Sequence, residues 1–341
     1  MDEASRFARV TGAPRWMIVA SVALVMSLAG ALGIVRATNT ALEGVPRMAA
    51  VTPVLSPPTA GVVNYLLVGS DSRASADPSD DDFATVGSED ETPGMRSDTI
   101  IVLRRDTRTG TLALMSVPRD LWAKMGDSET SRKINSAYQR GPDVLVRTVQ
   151  RALNIPIHHY MEVNFGGFKQ IVDAIGGVHV CVDRASRDKM TGFYIGRRAC
   201  KLVDGTAALA YARSRYFEEK VKGSWKIDGT GDVGRGERQR ALIAALAKDA
   251  LRFLARNPLE ASQVFESVSS SITVDERLDL VALARDLRPL ADGEVPSYNL
   301  PVDSGWANGQ FVFRLTRDAQ PLLGWFAGVV DAPPAAPAAE G

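Results

Sequence analysis

The chain of 341 residues is 45% hydrophobic and 23% charged, a balance that provides for a sizeable core and excludes wholesale disorder. Its 40 Lys and Arg residues equal its 40 Asp and Glu residues. The absence of a basic excess argues against a dedicated nucleic-acid-binding protein. With 3 His, 2 Cys and neither a CxxC nor an HExxH motif, the sequence does not predict a zinc site.

The first part of the chain contains one segment long and apolar enough to cross a membrane. The segment Trp16–Val35 carries no charge, and a helix of that length spans the roughly 30 Å hydrocarbon core of a bilayer. The residues after Arg36 form a poor signal-peptidase site, which favours an uncleaved anchor over a cleaved signal peptide. A slight positive-inside bias places the N-terminus in the cytoplasm. We expect a single-pass protein of the cell membrane, with a cytoplasmic tail over 1–15, a transmembrane anchor over 16–35 and an extracytoplasmic stalk over 36–61.

Beyond the stalk, short apolar runs alternate with segments of helical periodicity. Strands are predicted over 62–68, 99–104, 111–117, 160–163, 178–182, 271–274, 295–300 and 310–313, the second and third joined as a hairpin by a turn at 106–110. Helices are predicted over 143–153, 165–175, 205–212, 237–254, 258–268, 277–287 and 316–326. This alternation is typical of an α/β sandwich with a largely buried central sheet. The domain is expected to cover 62–330, and the Pro- and Ala-rich residues 331–341 to be disordered.

Arg and Asp residues recur where predicted strands end and predicted helices begin. They are Asp71, Arg73, Arg96, Asp98, Arg119, Asp120, Arg213, Arg215, Arg235 and Arg238, with Gln239. Because crevices in open α/β sheets form at strand ends, these residues are expected to meet in one site. Several guanidinium groups suit a pyrophosphate, and two carboxylates suit Mg²⁺. Arg235 and Gln239 stand four residues apart at a predicted helix start, so both are expected on the face that receives the anion.

Other chemistries lack their sequence signatures. The chain contains neither a GxSxG motif nor a Walker A motif, which argues against a serine hydrolase and a nucleotide-hydrolysing P-loop protein. His158 and His159 precede a predicted strand without a nearby nucleophile, so neither is expected to be catalytic.

Seven stretches, in this order, resemble the LytR–CpsA–Psr family of cell-wall glycopolymer ligases. They are NYLLVGSDSR (64–73), RSDTIIVLRRD (96–106), LALMSVPRDLW (112–122), KINSAY (133–138), VNFGGFKQIVDAIGGV (163–178), LVDGTAALAYARSR (202–215) and GRGERQR (234–240). Each stretch alone is a modest signal, but seven in sequence behind one N-terminal anchor are highly specific.

The resemblance implies an α–β–α sandwich with a mixed central sheet and a hydrophobic groove for a polyprenyl tail, the pyrophosphate head lying at the mouth of the groove. It implies a Mg²⁺-dependent phosphotransferase, with Mn²⁺ as the alternative metal. Such an enzyme moves a glycopolymer from a polyprenyl pyrophosphate carrier onto peptidoglycan and forms a phosphodiester. The implied partners are the lipid-linked glycopolymer, peptidoglycan and the membrane, without nucleic acid.

The same resemblance assigns roles to residues of this sequence. By motif, Asp71 and Asp98 look like the metal-binding carboxylates, and with Arg119 and Arg235 they form the expected catalytic set. The residues expected to bind the pyrophosphate are Arg73, Arg96, Lys133, Arg213, Arg215, Arg238 and Gln239.

Two stretches depart from the family pattern, the acidic residues 74–95 and the residues 216–234, and both are expected beside the mouth of the groove. The pair Cys181 and Cys200 is similar to the actinobacterial branch of the family. The resemblance implies a disulfide between them, which an oxidising compartment permits; two separate buried thiols are the alternative.

Two other functions stay open at the level of sequence. Water in place of a sugar hydroxyl would make the same site a polyprenyl-pyrophosphate phosphatase. A non-catalytic envelope protein that binds lipid-linked precursors or regulates the wall is the other alternative. The presence of Asp71, Asp98 and the arginines favours an enzyme. The polymer itself, whether arabinogalactan, capsule, a teichoic-type polymer or a glycoprotein glycan, is not specified.

Overall fold

The computed structural model describes residues 44–58, 61–70, 97–257, 260–287 and 295–333, apart from the side chains of Asp98, Ala261, Ser262 and Val268. The strands are β1 Val62–Ser70, β2 Ser97–Asp106, β3 Leu112–Ser116, β4 Trp122–Lys124, β5 Ser131–Lys133, β6 His159–Asn164, β7 Val178–Val182, β8 Ser186–Asp188, β9 Phe193–Ile195, β10 Ala199–Val203, β11 Glu218–Val221, β12 Ser224–Ile227, β13 Ile272–Val274, β14 Ser297–Asn299, β15 Val302–Ala307 and β16 Gln310–Leu315.

The helices are α1 Pro142–Leu153, α2 Phe165–Ala174, α3 Gly205–Arg213, α4 Gly231–Arg256, α5 Ala261–Ser271, α6 Leu280–Asp286 and α7 Gln320–Phe326, with short 3₁₀ helices at Ala49–Val54, Ile134–Arg140 and Arg317–Ala319. The predicted anchor over 16–35 lies outside the described residues. Among the helices that are described, none has both the length and the apolar character needed to cross a membrane.

Six strands form the central sheet in the order β13-β6-β1-β2-β3-β14. β1 pairs with β2 in the antiparallel and with β6 in the parallel orientation, while β3 pairs antiparallel with β2 and parallel with β14. β2 and β3 form the predicted hairpin. The carboxylate of Asp106 accepts hydrogen bonds from the backbone N–H groups of Arg108 and Thr109 in its turn. The mixed central sheet is therefore confirmed.

Helices cover both faces of this sheet. On one face, Leu66 and Val68 of β1 pack in a core with α1 and α7. On the other, Tyr65 packs in a second core that includes residues of α4 and α6. A strand buried on both faces carries a nearly continuous apolar run. The side-chain nitrogen of Asn64, a polar residue within that run, donates hydrogen bonds to two backbone carbonyls at 2.9 and 2.8 Å, which satisfies both N–H groups of its buried amide.

A smaller lobe lies beside the central sheet. β7 and β10 form a two-stranded sheet, and β12, β11, β8 and β9 form a four-stranded sheet. The predicted strand Val178–Val182 therefore belongs to this lobe and not to the central sheet. Cys181 and Cys200 stand directly opposite each other on β7 and β10 and form the predicted disulfide, with Cα atoms 3.9 Å apart. The departing stretch 216–234 supplies the hairpin of β11 and β12.

α4 begins at Gly231, six residues before the predicted start at Glu237. Glycines in its first turns lower the intrinsic helix propensity and conceal this start in the sequence. The tertiary structure compensates, because the buried Arg235 and Arg238 form ion pairs with Asp232 and Asp228, and Asp232 places a negative charge in the first turn, where the helix dipole favours it. The motif GRGERQR consequently lies inside the helix.

Close packing of α2 against α3 positions the end of α3. A Cβ atom on Gly205, the first residue of α3, would lie 2.6 Å from the backbone of Lys169 in α2, so only glycine permits this approach. The backbone N–H of Gly205 also donates to the carboxylate of Asp173 in α2 at 2.7 Å. The contact positions α3 relative to α2, and with it Arg213, the last residue of α3.

Candidate functional site

Three arginines from separate parts of the chain converge on the carboxylate of Asp232 in the first turn of α4. Arg235, on the same helix, places a guanidinium nitrogen 3.0 Å from Oδ1 of Asp232. Arg119, in the loop after β3, approaches Oδ2 to 3.3 Å, and Arg215, just beyond α3, approaches Oδ1 to 3.9 Å. Asp232 was not among the predicted site residues, because it falls in the stretch that departs from the family pattern.

Arg213 completes what we call the arginine cluster, defined as Arg119, Arg213, Arg215 and Arg235. Its guanidinium group lies over the ring of Phe165 at 4.9 Å from the ring centroid, and it lines the same cavity as Arg215 and Arg235. The structure thus brings together four of the five described arginines of the predicted site, although they come from the β3–β4 loop, the end of α3 and the loop after it, and α4.

Two of the remaining predicted phosphate ligands, Gln239 and Lys133, lie next to the arginine cluster. Gln239 lies with Arg235 on the wall of the cavity, and its amide donates to the carbonyl of Ala212 at 3.2 Å. Lys133 lies 2.9 Å from the carboxylate of Asp120, whose other oxygen is 3.7 Å from Arg119, so it stands at the edge of the cluster.

Arg238 points away from the cluster and is buried. It contacts the carboxylate of Asp228 at 3.0 Å, donates to the carbonyl of Ser214 at 2.8 Å, and packs over the ring of Phe217 at 4.5 Å. These contacts tie α4 to the loop after α3. In this structure Arg238 supports the position of that loop and is not one of the described residues that line the cavity.

An apolar cavity of about 500 Å³ opens between the central sheet and helices α2, α3 and α4. We call it the large cavity. Its apolar walls are formed by Leu67, Met161, Val163, Phe165, Phe168, Ile171, Leu209, Leu242, Ile243, Leu246 and Ile272. Its polar end is formed by Arg213, Arg215, Arg235 and Gln239, with Asp188. An elongated apolar molecule with an anionic head fits this distribution of charge.

Asp188, at the end of β8, fixes the backbone that carries Arg215. Its carboxylate accepts hydrogen bonds from the Ser214 hydroxyl at 2.6 Å and from the backbone N–H groups of Arg215 and Tyr216 at 3.1 and 3.0 Å. Burial disfavours its charge, but the Ser214 hydroxyl and the surrounding backbone N–H groups outweigh that cost and hold the pKa of Asp188 below its usual value. No feature of the sequence distinguished this aspartate from a surface residue.

A second, narrow pocket of about 40 Å³ adjoins the large cavity. We call it the small pocket. The two share Arg235 and Gln239 and otherwise differ in their described lining residues. The small pocket is further lined by Ser116, Arg119, Asp232, Asn299 and Phe313. The side chains of Arg235 and Gln239 therefore stand between an apolar space and a more polar one.

The structure describes only a small part of the predicted metal-binding region. Asp71, Arg73 and Arg96 lie outside the described residues, and Asp98 is described by its backbone alone. β1 ends at Ser70, which pairs with Ser97, the residue before Asp98. Within the described part of the chain, no group of three or more His, Cys, Asp or Glu side chains is arranged to hold a metal ion.

The two adjacent histidines have structural contacts. Nδ1 of His158 accepts a hydrogen bond from the backbone N–H of Asn64 at 2.9 Å, and Nδ1 of His159 lies 3.2 Å from the carboxylate of Asp275. Burial, with a smaller contribution from His159, lowers the pKa of His158 to about 4, so its ring is neutral at neutral pH.

The fold and the site together define an α/β sandwich protein in which an arginine cluster closes the polar end of an apolar cavity. The sequence matches the model of the LytR_cpsA_psr family over residues 34–321, and the chain therefore belongs to the LytR–CpsA–Psr family.

Relatives in the family carry descriptive names. The chain is 35% identical over 198 residues to the polyisoprenyl-teichoic acid–peptidoglycan teichoic acid transferase TagU of Halalkalibacterium halodurans, covering 58% of this chain and 60% of that protein. It is 34% identical over 248 residues to the probable cell wall biosynthesis protein LcpB of Corynebacterium glutamicum, covering 72% of this chain and 56% of that protein. The matches thus span less than two thirds of these relatives.

Solved structures show the same fold. A LytR-Csp2A-Psr enzyme from Actinomyces oris superposes with a TM-score of 0.60 at 22% identity, covering 83% of this chain and 96% of that one. The crystal structure of B. subtilis TagV gives a TM-score of 0.61 at 23% identity, covering 81% of this chain and all of that one (100%). The mixed central sheet with helices on its faces is shared with both.

Proposed function

We propose that this protein is a transferase that moves a glycopolymer from a polyprenyl pyrophosphate carrier to peptidoglycan and forms a phosphodiester bond. The observation that carries the proposal is the large cavity, which is apolar along its length and ends at Arg213, Arg215 and Arg235. The names of the relatives support the reaction class, since TagU of H. halodurans is called a polyisoprenyl-teichoic acid–peptidoglycan teichoic acid transferase.

In this proposal each part of the site has one task. The apolar walls hold the isoprenoid tail out of water, since burial of apolar surface is favourable. The arginine cluster binds the pyrophosphate oxygens and neutralises the charge that develops on the leaving phosphate. A sugar hydroxyl of the acceptor attacks the phosphorus nearer the glycopolymer. A new P–O bond forms as the hydroxyl loses its proton to solvent, the P–O bond to the bridging oxygen breaks, and polyprenyl phosphate leaves.

We further propose that Asp71 and Asp98 hold Mg²⁺, or Mn²⁺ as the alternative. The support is the pairing of Ser70, the last residue of β1, with Ser97. This pairing brings the backbone of Asp98 next to the end of β1, and Asp71 is the next residue of the chain after Ser70. Carboxylate oxygens are the ligands that Mg²⁺ prefers, and the ion would add positive charge beside the phosphates. Replacement of Asp98 by Ala should abolish the dependence of activity on added Mg²⁺; a variant that still responds to Mg²⁺ like the wild type would contradict the assignment.

We also propose that Trp16–Val35 anchors the protein in the cell membrane with residues after Arg36 outside the cytoplasm. The disulfide between Cys181 and Cys200 supports this topology, because disulfides persist in oxidising compartments. A periplasmic-type reporter fused after Gly341 should be active outside the cytoplasm. A mature form that begins near Thr38 would show a cleaved signal peptide instead.

The function is tested by Arg235→Ala in a reconstituted assay with a polyprenyl-pyrophosphate oligosaccharide as donor and peptidoglycan as acceptor. Loss of one oriented donor to a developing charge typically costs about 3 kcal/mol, so transfer should fall about a hundredfold. Arg252→Ala is the matched control, because Arg252 is exposed on the same helix. Thermal unfolding of both variants monitors the fold.

The products of this assay separate the alternatives. Polymer joined to peptidoglycan identifies the transferase, while free polymer phosphate formed without an acceptor identifies a phosphatase. Binding of the donor without any product identifies a non-catalytic binding protein. Either of the last two results would overturn the proposed function.

A further inference from the structure

The hairpin of β15 and β16 exposes aromatic side chains in a row. The side chain of Trp306 is 71% exposed and that of Phe311 is 44% exposed. Trp306 stands directly opposite Phe311 across the hairpin, with ring centroids 6.3 Å apart. Phe313 lies two residues further along the same face, and its ring is 5.3 Å from that of Phe311. We call Trp306, Phe311 and Phe313 the aromatic ladder.

The ladder is attached to the loop that carries part of the arginine cluster. The backbone N–H of Phe313 donates to the carbonyl of Asp120 at 3.0 Å, and Phe313 forms a parallel bridge with Leu121. Arg119 immediately precedes this contact. Phe313 also lines the small pocket together with Arg119 and Asp232. The ladder therefore runs from the exposed tip of the hairpin to the arginine cluster.

The charge of the hairpin indicates which class of ligand the aromatic ladder can bind. Its two charged residues, Asp303 and Arg314, stand opposite each other in the strand register and cancel. A polyanion would gain little here, whereas the faces of exposed aromatic rings offer apolar contact to the faces of uncharged sugar rings, with polar edges left in water. A neutral glycan is the ligand class that matches this surface.

The geometry of displacement at phosphorus indicates whether this glycan belongs to the donor or to the acceptor. The attacking oxygen must approach in line with, and opposite to, the leaving oxygen. In the proposed function the leaving polyprenyl phosphate occupies the large cavity. Arg235 and Gln239 separate that cavity from the small pocket. The attacking hydroxyl is therefore expected on the side of the small pocket, where the aromatic ladder ends.

We propose that the aromatic ladder binds the acceptor, seating uncharged N-acetylhexosamine rings of a glycan strand so that one hydroxyl enters the small pocket beside Arg119 and Arg235. This inference rests on the proposed function for the reaction and adds the acceptor site. Trp306, Phe311 and Phe313 are assigned as acceptor-binding residues, and none of them is among the described residues that line the large cavity proposed for the donor tail.

The test compares Trp306→Ala and Phe311→Ala with Tyr194→Ala in the full-length protein. Tyr194 is a matched control, because its side chain is 64% exposed and it lies on β9 in the smaller lobe. We expect the KM for a soluble peptidoglycan glycan fragment to rise about tenfold in the two ladder variants, as loss of an aromatic contact of this kind commonly costs up to that factor. The KM for the lipid-linked donor should be unchanged, and Trp306→Phe should retain most of the affinity.

Other occupants of the ladder would give other results. An unchanged acceptor KM in both variants would overturn the proposal, as would a rise in the donor KM alone. If the variants instead lose binding to phospholipid vesicles, or lose self-association, while the acceptor KM stays unchanged, the ladder is a membrane or dimer surface and the proposal is wrong.

Binding without turnover separates this inference from the proposed function. A tetrasaccharide of N-acetylglucosamine should change the tryptophan fluorescence of the wild type and not that of Trp306→Phe. If the wild type gives this response but transfers no polymer, the glycan site stands and the proposed function fails. If the wild type transfers polymer and Trp306→Ala behaves identically, the inference fails alone.

Discussion

The carboxylate of Asp232 lies 3.3 Å from the guanidinium group of Arg119, which precedes it by more than a hundred residues in the chain. The same carboxylate contacts Arg235 and Arg215. Like-charged guanidinium groups repel one another when no anion is bound, and a carboxylate among them reduces that repulsion. Asp232 therefore acts as an internal counterion that holds the arginine cluster together in the absence of a phosphate ligand.

This role predicts how Asp232→Asn responds to ligand. The variant leaves the buried guanidinium group of Arg235 and the partly exposed ones of Arg119 and Arg215 without their counterion, so the free energy of unfolding should fall by about 2 kcal/mol. Inorganic pyrophosphate supplies the missing charge and should raise the melting temperature of Asp232→Asn more than that of the wild type. Differential scanning fluorimetry with and without pyrophosphate measures both effects.

The matched control for this experiment is Asp286→Asn. Asp286 lies 2.9 Å from Arg105, a pair formed by α6 and β2 and separate from the arginine cluster. Its response to pyrophosphate should equal that of the wild type. Equal pyrophosphate-induced shifts in the wild type and Asp232→Asn would show that Asp232 is not the counterion of the cluster.

The disulfide between Cys181 and Cys200 should stabilise the smaller lobe. The bond joins residues 19 positions apart, and the chain-entropy model assigns about 3 kcal/mol to a loop of that size. The double variant Cys181→Ser, Cys200→Ser should therefore lose about this much free energy of unfolding in a guanidinium titration. Reductant should lower the stability of the wild type and leave the double variant unaffected. Equal midpoints for the wild type and the double variant would refute the expectation.

Buried His158 should make stability fall on mild acidification. The unfolded chain binds a proton near the usual His pKa of about 6.5, whereas the folded chain resists protonation down to about 4. Between these values the unfolded state binds more protons, so the free energy of unfolding falls as the pH falls, by up to about 3 kcal/mol.

Asp275 contributes in the same direction only at lower pH. Burial opposes its ionisation, but hydrogen bonds from His159 and from backbone N–H groups lower its pKa below the usual value of 3.8.

His158→Gln should flatten the stability profile between about pH 6.5 and 4, as measured by urea unfolding at several pH values. Parallel profiles for the wild type and His158→Gln would exclude His158 as the source.

Filling the large cavity should select against long lipid tails. Leu246 lies on the cavity wall, and Leu246→Trp places an indole ring in the space proposed for the tail. We expect the KM for a long-chain polyprenyl donor to rise at least about tenfold, the equivalent of 1.4 kcal/mol, while a short-chain donor is used as before. Val281→Trp, at an exposed position on α6, is the control. If both donors are affected equally by Leu246→Trp, the cavity does not hold the tail.

Local patterns in the sequence were enough to predict most of the elements that frame the site. Apolar runs predicted β1, β2 and β3, turn residues predicted the connection between β2 and β3, and helical periodicity predicted α1 and α2. In the strands and helices, the local pattern shows which face of the segment must be buried. The positions of Arg119, Arg213, Arg215 and Arg235 at the ends of elements predicted their convergence, because sheet topology brings such ends to one edge.

The tertiary structure alone decided three other points, because each depends on what covers a side chain rather than on its type. Periodicity marks Leu209 and Leu246 as apolar but cannot show that they face an open cavity instead of a filled core. The sequence groups Arg238 with Arg235, yet packing turns it towards Asp228. Asp232 carries no local signal, and it becomes the centre of the arginine cluster only when folding brings Arg119 and Arg215 from two other segments to its carboxylate, beside Arg235 of its own helix.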